Sequence, residues 1–384
     1  MSGTSLIDLG AAEIARRVAA RDLSATEIVN ALIERIEEVN TRLNAVVVPM
    51  FDQARQDAQR ADDAVRRGKP LGPLHGVPMT IKECFHVAGT PSTIGLSARQ
   101  NLVDEQDGIL VQRLRSAGAI ILGKTNVSQL MMYQESANPV YGATCHPVDE
   151  QRSPGGSSGG EAAVIAAGGS PLGLGSDMGG SIRQPCHACG IQGIKPTSGR
   201  LPTSGLTTNL PGMEAIAFQP GPMARHVEDL TLALKVLSEQ NGSQTDLQSP
   251  PGAIGKPACV DLSNLRIGAF KDDGFFLASP AIRRAVDEAG TVLQRQGATV
   301  ETFEPPDVGE AVELFCAILA ADGASGLRRL LRGSKVDWRM SRLMLPARIP
   351  RLIRPVFLLL MQLLGQQETR RLFGPCRSRS ADEY

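Results

Sequence analysis

Apolar residues recur at Ile28, Leu32 and Ile36, every fourth position, directly after Ser24-Ala25-Thr26-Glu27. A serine followed three residues later by a glutamate is a capping box, so a helix starts there. Ala11 to Ala20 predicts a helix before it, and the Ala-, Gln-, Asp- and Arg-rich stretch 51–67 predicts an exposed one after it. The apolar run Val77 to Ile81 predicts a short strand ending at Lys82. Gly108 to Ala117 then predicts a helix and Ala119 to Gly123 a buried strand, a succession that points to an α/β architecture. Glu161 to Ala167 predicts a small-residue helix directly after a Gly-Ser loop. Leu172 to Gly175 predicts a strand running into a second Gly-Ser turn. Leu265 to Phe270 and Thr299 to Phe303 predict strands around a helix that Ser279-Pro280 opens and Gly297 stops. No internal repeat is present. Gly242 to Gly255, rich in Ser, Pro, Gln and Gly, predicts a connecting loop.

Composition narrows the classes. Hydrophobic residues make up 42% of 384, enough for a large core. Lys plus Arg equals Asp plus Glu at 40 each, which excludes the basic excess of a nucleic-acid footprint. Seven scattered cysteines argue for reduced thiols rather than a disulfide framework. The first ten residues lack the basic start and apolar run of a signal peptide, and no apolar run reaches the ~18 residues of a membrane span. A cytoplasmic protein is the expectation.

Chemistry concentrates where glycine does. Gly155-Gly156-Ser157-Ser158-Gly159-Gly160 and Gly179-Gly180-Ser181 are separated by one helix and one strand, a spacing that can bring both serines to one sheet edge. Glycines before a serine let main-chain amides face an incoming oxygen, as an oxyanion hole requires. A serine hydroxyl needs an adjacent base. Lysine can be that base only when burial keeps it neutral, and Lys82 closes an apolar strand. Each feature has a plainer reading: Gly-Ser runs can be linkers, Lys82 a solvated strand end, Ser157 a helix N-cap. Asp177 and Arg183 flank the second turn and read as an ion pair or backbone clamp that supports the structure. Gly155-Gly156-Ser157-Ser158-Gly159 also fits a nucleophile elbow, with Ser157 as an esterase nucleophile and His187 or His226 as its base. Cys186-His187-Ala188-Cys189 lacks a second pair at zinc-site spacing, so no metal is expected.

The joint pattern is specific. Ser153 to Ala163, Gly175 to Arg183, Cys189-Gly190, Gly193-Ile194-Lys195-Pro196-Thr197, Gly221-Pro222-Met223-Ala224-Arg225 and Gly76-Val77-Pro78 before Lys82 resemble the amidase signature family from about residue 70 to about 240. The resemblance implies an α/β/α sandwich with a large mixed central sheet. It also implies an amidohydrolase without cofactor that works through an acyl-enzyme. By the same resemblance Ser181 is the nucleophile, Ser157 the bridging serine after a cis peptide, and Lys82 the base. The N–H groups of Met178, Gly179, Gly180 and Ser181 form the oxyanion hole, and Met131, Met132 and Ser158 take part in substrate binding. Residues 1–65 are expected as helices packing on a catalytic domain, 66–384, and as carrying homodimer contacts.

Glu83-Cys84-Phe85 after the lysine, together with Ser170 to Gly175, resembles the fatty acid amide hydrolase branch. The glutamine-hydrolysing component of tRNA-dependent amidotransferases, which usually carries Asp-Asn after the lysine, is the alternative. The favoured substrate is therefore a small-molecule amide with a long apolar acyl chain, a fatty acyl amide. Leu343 to Leu364 interleaves Arg348, Arg351 and Arg354 with apolar residues and resembles an interfacial amphipathic segment, so a peripheral membrane contact is expected at 343–364. The chain stops at Tyr384 before the Gly-Leu-Pro-type strand of the family. The expectation is a C-terminal truncation, with an inert or binding-only homologue as its consequence.

Overall fold

The computed structural model describes residues 5–208, 210, 215–239, 254–255, 257–345 and 353–366. The loop expected at 242–255 lies almost wholly outside them, as do 346–352 of the expected amphipathic segment and the last residues of the chain. Two compact bodies are formed, one from 1–254 and 326–343, the other from 255–325 and 344–384.

The first body opens with α1 (Ala11–Ala20) and α2 (Ala25–Leu43). The capping box is made, with Ser24 Oγ accepting from Glu27 N–H at 2.9 Å. The predicted stripe is buried at Ile28, Leu32 and Ile36. A strand the pattern does not announce, β1 (Val46–Pro49), leads into α3 (Phe51–Arg66). The polar composition of α3 predicts exposure, yet Ala54, Ala58, Ala61 and Val65 are buried along one face. Alanine carries too little apolar area to mark that face by hydropathy, but its three- and four-residue spacing is helical.

β2 (Pro78–Lys82), α4 (Ile109–Ser116), β3 (Ile120–Thr125), the hairpin β4 (Ala137–Asn138) and β5 (Gly142–Ala143), α5 (Gly159–Ala166), β6 (Leu172–Asp177), α6 (Arg183–Cys189), β7 (Gln192–Gly193), β8 (Gln219–Ala224) and α7 (Val227–Ser238) follow. Six strands form one mixed sheet in the order β1-β3-β2-β6-β8-β7. The central trio β3, β2 and β6 is parallel, and β1, β8 and β7 join antiparallel. Every residue of β2, β3, β6 and β8 is buried, as strands covered on both faces require. β8 carries Pro220 and Pro222, which share one side of the strand. Pro222 O accepts from Ile194 N–H on the β7 side, so the missing proline donors face the short β7 and not β6. Arg225 then ties the sheet to the N-terminus through Ile7 O at 2.7 Å and Leu9 O at 3.2 Å.

The second body holds β9 (Arg266–Ala269) parallel to β10 (Thr299–Thr302), with α8 (Pro280–Arg295), α9 (Val308–Leu319) and other helices. Ser279 Oγ accepts from Ile282 N–H at 3.4 Å, so the predicted N-cap is present.

Candidate active site

β2 and β6 are neighbours in the sheet, and α5 starts beside both. This arrangement carries Lys82 at the end of β2 to the loop before α5. Lys82 Nζ lies 2.8 Å from Ser157 Oγ, 3.0 Å from Ser176 Oγ and 3.2 Å from Ser176 O. All three residues are fully buried. The Gly156–Ser157 peptide is cis. Burial pushes the Lys82 amine down to about 8, against the opposing pull of Cys84, Asp177 and Glu161. Desolvation favours the neutral form, the form in which an amine accepts a proton. Burial pushes the Cys84 thiol up to about 11.

Ser181 follows β6 after a tight turn. Gly180 sits at φ +108°, a conformation for glycine. Asp177 organises this turn. Its Oδ1 accepts from Gly180 N–H at 2.8 Å, and its Oδ2 from Ile182 N–H at 3.0 Å and Arg183 N–H at 3.2 Å. The Arg183 guanidinium adds two bonds, 2.8 and 3.1 Å. Burial works against ionisation of Asp177, but Arg183 and the three main-chain donors hold its carboxyl down to about 2. The clamp expected of this pair is present.

The same bonds change one expectation. The family resemblance gives Gly180 N–H to the oxyanion hole, but it is committed to Asp177. Among the described residues, the N–H groups of Met178, Gly179 and Ser181 carry no such bond.

Ser158, to which the resemblance gives a substrate-binding role, is fully buried, and its hydroxyl donates to Ser176 O at 3.2 Å, which stitches the α5 loop to β6. Its N–H donates to Ser181 O at 3.2 Å and so couples the two serine loops. The structure thus brings Lys82 and Ser157 into contact and joins Ser181 to them through the main chain. A direct bond between the hydroxyls of Ser157 and Ser181 is not among those of the described residues. Met131 is buried and Met132 half-buried, in a segment where Leu130 and Met131 both take positive φ. That segment reaches the serine loops through Gln134, whose amide donates to Gly179 O at 3.0 Å.

The elbow reading needs a histidine beside Ser157, and the partner found there is Lys82. His187 is exposed on α6, and His226 is exposed at the position before α7. Among the described residues no cluster of His, Cys, Asp and Glu could hold a metal ion. Burial pushes the Cys186 and Cys189 thiols up to about 12, so both are protonated packing groups.

Sequence reasoning misses the partners behind the site. Glu161 on α5 is fully buried, bonded to Thr80 and Thr125. A second buried lysine, Lys124 on β3, is held by Pro91 O at 2.6 Å and Ser92 Oγ at 2.8 Å, with Asp104 3.6 Å away.

A family model described as amidase matches residues 27–374. The chain is 34% identical to the vitamin D3 hydroxylase-associated protein of Gallus gallus, over 98% of this chain and 80% of the relative. It is 37% identical to fatty-acid amide hydrolase 1 of Sus scrofa, over 91% of this chain and 59% of the relative. A solved fatty acid amide hydrolase superposes with a TM-score of 0.84 at 29% identity, covering 95% of this chain and 65% of that one. The chain spans about three fifths of the length of the pig enzyme it matches. By family model, relatives and fold, the chain belongs to the amidase signature family.

Proposed function

We propose that this protein hydrolyses carboxylic amides through Ser181, Ser157 and Lys82. The observation that carries the reading is the 2.8 Å contact between a fully buried Lys82 amine and Ser157 Oγ. In the proposed sequence neutral Lys82 takes the Ser157 proton, Ser157 takes the Ser181 proton, and Ser181 Oγ attacks the carbonyl carbon. The oxyanion is met by main-chain donors of the Met178–Ser181 turn, with Gly180 reserved for Asp177. The tetrahedral adduct collapses as the relay returns a proton to the leaving amine. Water then cleaves the acyl-enzyme by the same route.

Fatty acyl amides are the proposed substrates. The support is the buried Met131, three residues before the Gln134 that bonds Gly179 O, and the similarity to the fatty-acid amide hydrolases of Sus scrofa and Danio rerio. A lipid surface is the proposed meeting place. The helix Arg354–Leu363 exposes Val356, Leu359, Leu360 and Leu363 at helical spacing. No described helix is long and apolar enough to cross a membrane.

A series of acyl amides of graded chain length, with glutamine included, tests the reading. Turnover should rise with acyl length and vanish in Ser181→Ala. Preference for glutamine would move the protein to the amidotransferase components instead. Activity retained in Ser181→Ala but lost in Ser157→Ala would favour the esterase elbow.

A further inference from the structure

One buried carboxylate beside Lys82 has no part in the proposed proton relay. Glu161 Oε1 accepts from Thr80 Oγ1 at 2.6 Å, and Oε2 accepts from Thr125 Oγ1. The Leu174 N–H of β6 also favours the ionised carboxylate. A single side chain on α5 therefore bonds β2 and β3 and lies against β6, their neighbour in the sheet. The carboxylate lies flat on β6 at Gly173, where a methyl group would overlap Oε1. Only glycine leaves that space.

The geometry relates this grip to the site. Thr80 and Lys82 are two residues apart on one strand and so project to one face. Ser157 and Glu161 are four residues apart, across the start of α5. Glu161 to Thr80 and Ser157 to Lys82 are thus two rungs from β2, one to α5 and one to the loop that leads into it.

We propose that Glu161 is a positioning residue for the Lys82–Ser157 pair, pinning the first turn of α5 to the sheet so that Ser157 Oγ stays against Lys82 Nζ. This rests on the reading of Lys82 as the base for Ser157. Glu161 also faces Lys82 electrostatically, together with Asp177 from β6 and Cys84 from the loop after β2. From β3 the facing group is the Thr125 hydroxyl, because the Lys124 amine is turned to Pro91 and Ser92. A carboxylate at 161 favours the charged form of Lys82, so removing its charge makes the neutral form easier to reach.

The test is the rate at which a fluorophosphonate labels Ser181, followed against pH in the wild type, Glu161→Gln and Thr80→Val. Glu161→Gln should slow labelling at pH 8 about tenfold or more, because its amide nitrogen, standing where one carboxylate oxygen stood, cannot accept from the threonine there. Its acid limb should move to lower pH by about half a unit. Thr80→Val keeps the carboxylate, so it should slow labelling less and leave the limb in place. A Glu161→Gln protein with the wild-type rate and limb, or one that only melts earlier, overturns the proposal. Should that variant be insoluble, a wild-type labelling rate in Thr80→Val overturns it equally. Failure of the wild type to label at Ser181 is a different result, and it sinks the reading of the site itself.

Discussion

In the body that carries the six-stranded sheet, Lys82, Lys124, Glu83, Glu161 and Asp177 are all enclosed. In the other body the ion pairs Arg266–Glu301, Lys271–Asp287 and Arg284–Glu288 all lie more than half in water on at least one partner. The residue types are the same and the energetics are not. A pair in water contributes little, because Coulomb attraction is screened and two long side chains lose freedom. An enclosed charge must find hydrogen bonds or give up its ionisation. The first body shows the gradation: five bonds hold the Asp177 carboxyl at about 2, whereas burial pushes Glu161, with fewer bonds, up to about 7, so that it carries its charge only above that pH. Enclosed charge therefore marks the neighbourhood of the candidate site.

The largest expected break in that contrast is Ser181→Ala, which should reduce amide turnover about 10⁴-fold or more in a steady-state assay. Lys82→Met should come next. It should abolish turnover too, yet remove a pH dependence of stability. The Lys82 pKa is lowered on folding, from 10.5 to about 8, so the penalty for burying the ammonium is fully present below about 8. It fades as pH rises toward 10.5. Urea melts of the wild type should show rising stability across that window, and Lys82→Met should lack the rise.

Gly173→Ala should follow. Its methyl would collide with Glu161, and overpacking of this kind costs roughly 1–3 kcal/mol, measurable by urea unfolding. Asp177→Asn should be milder. The folded carboxyl sits at about 2, so its stabilisation is present above the unfolded value of roughly 3.9 and is lost as pH falls toward 2. With Arg183 more than half exposed, the loss should be on the order of 1 kcal/mol at neutral pH, and absent near pH 2. Glu301→Gln in the second body should leave the urea midpoint unchanged.

Helices α1 to α5 and α8 and the parallel strands are legible in the sequence because they obey period and capping rules: Ser24 caps α2, and Ser279 caps α8 as its spacing says. β8 is not, because Pro220 and Pro222 argue against a strand until the short β7 partner is seen. Lys82, Ser157 and the Asp177–Arg183 clamp are legible as a motif. The commitment of Gly180 N–H to Asp177 is not, since a main-chain direction leaves no mark on residue types. Glu161 is invisible for a related reason. A glutamate in a small-residue helix reads as a surface group, and only the folded sheet brings Thr80, Thr125 and Leu174 to it.

The most direct measurement is fluorophosphonate labelling of the folded protein across pH 6 to 10, with the modified peptide located by mass spectrometry. The account predicts the adduct on Ser181, with a labelling rate that climbs through an ionisation near 8 and is lost in Lys82→Met. An adduct on Ser157, or labelling of Ser181 indifferent to Lys82, would contradict it.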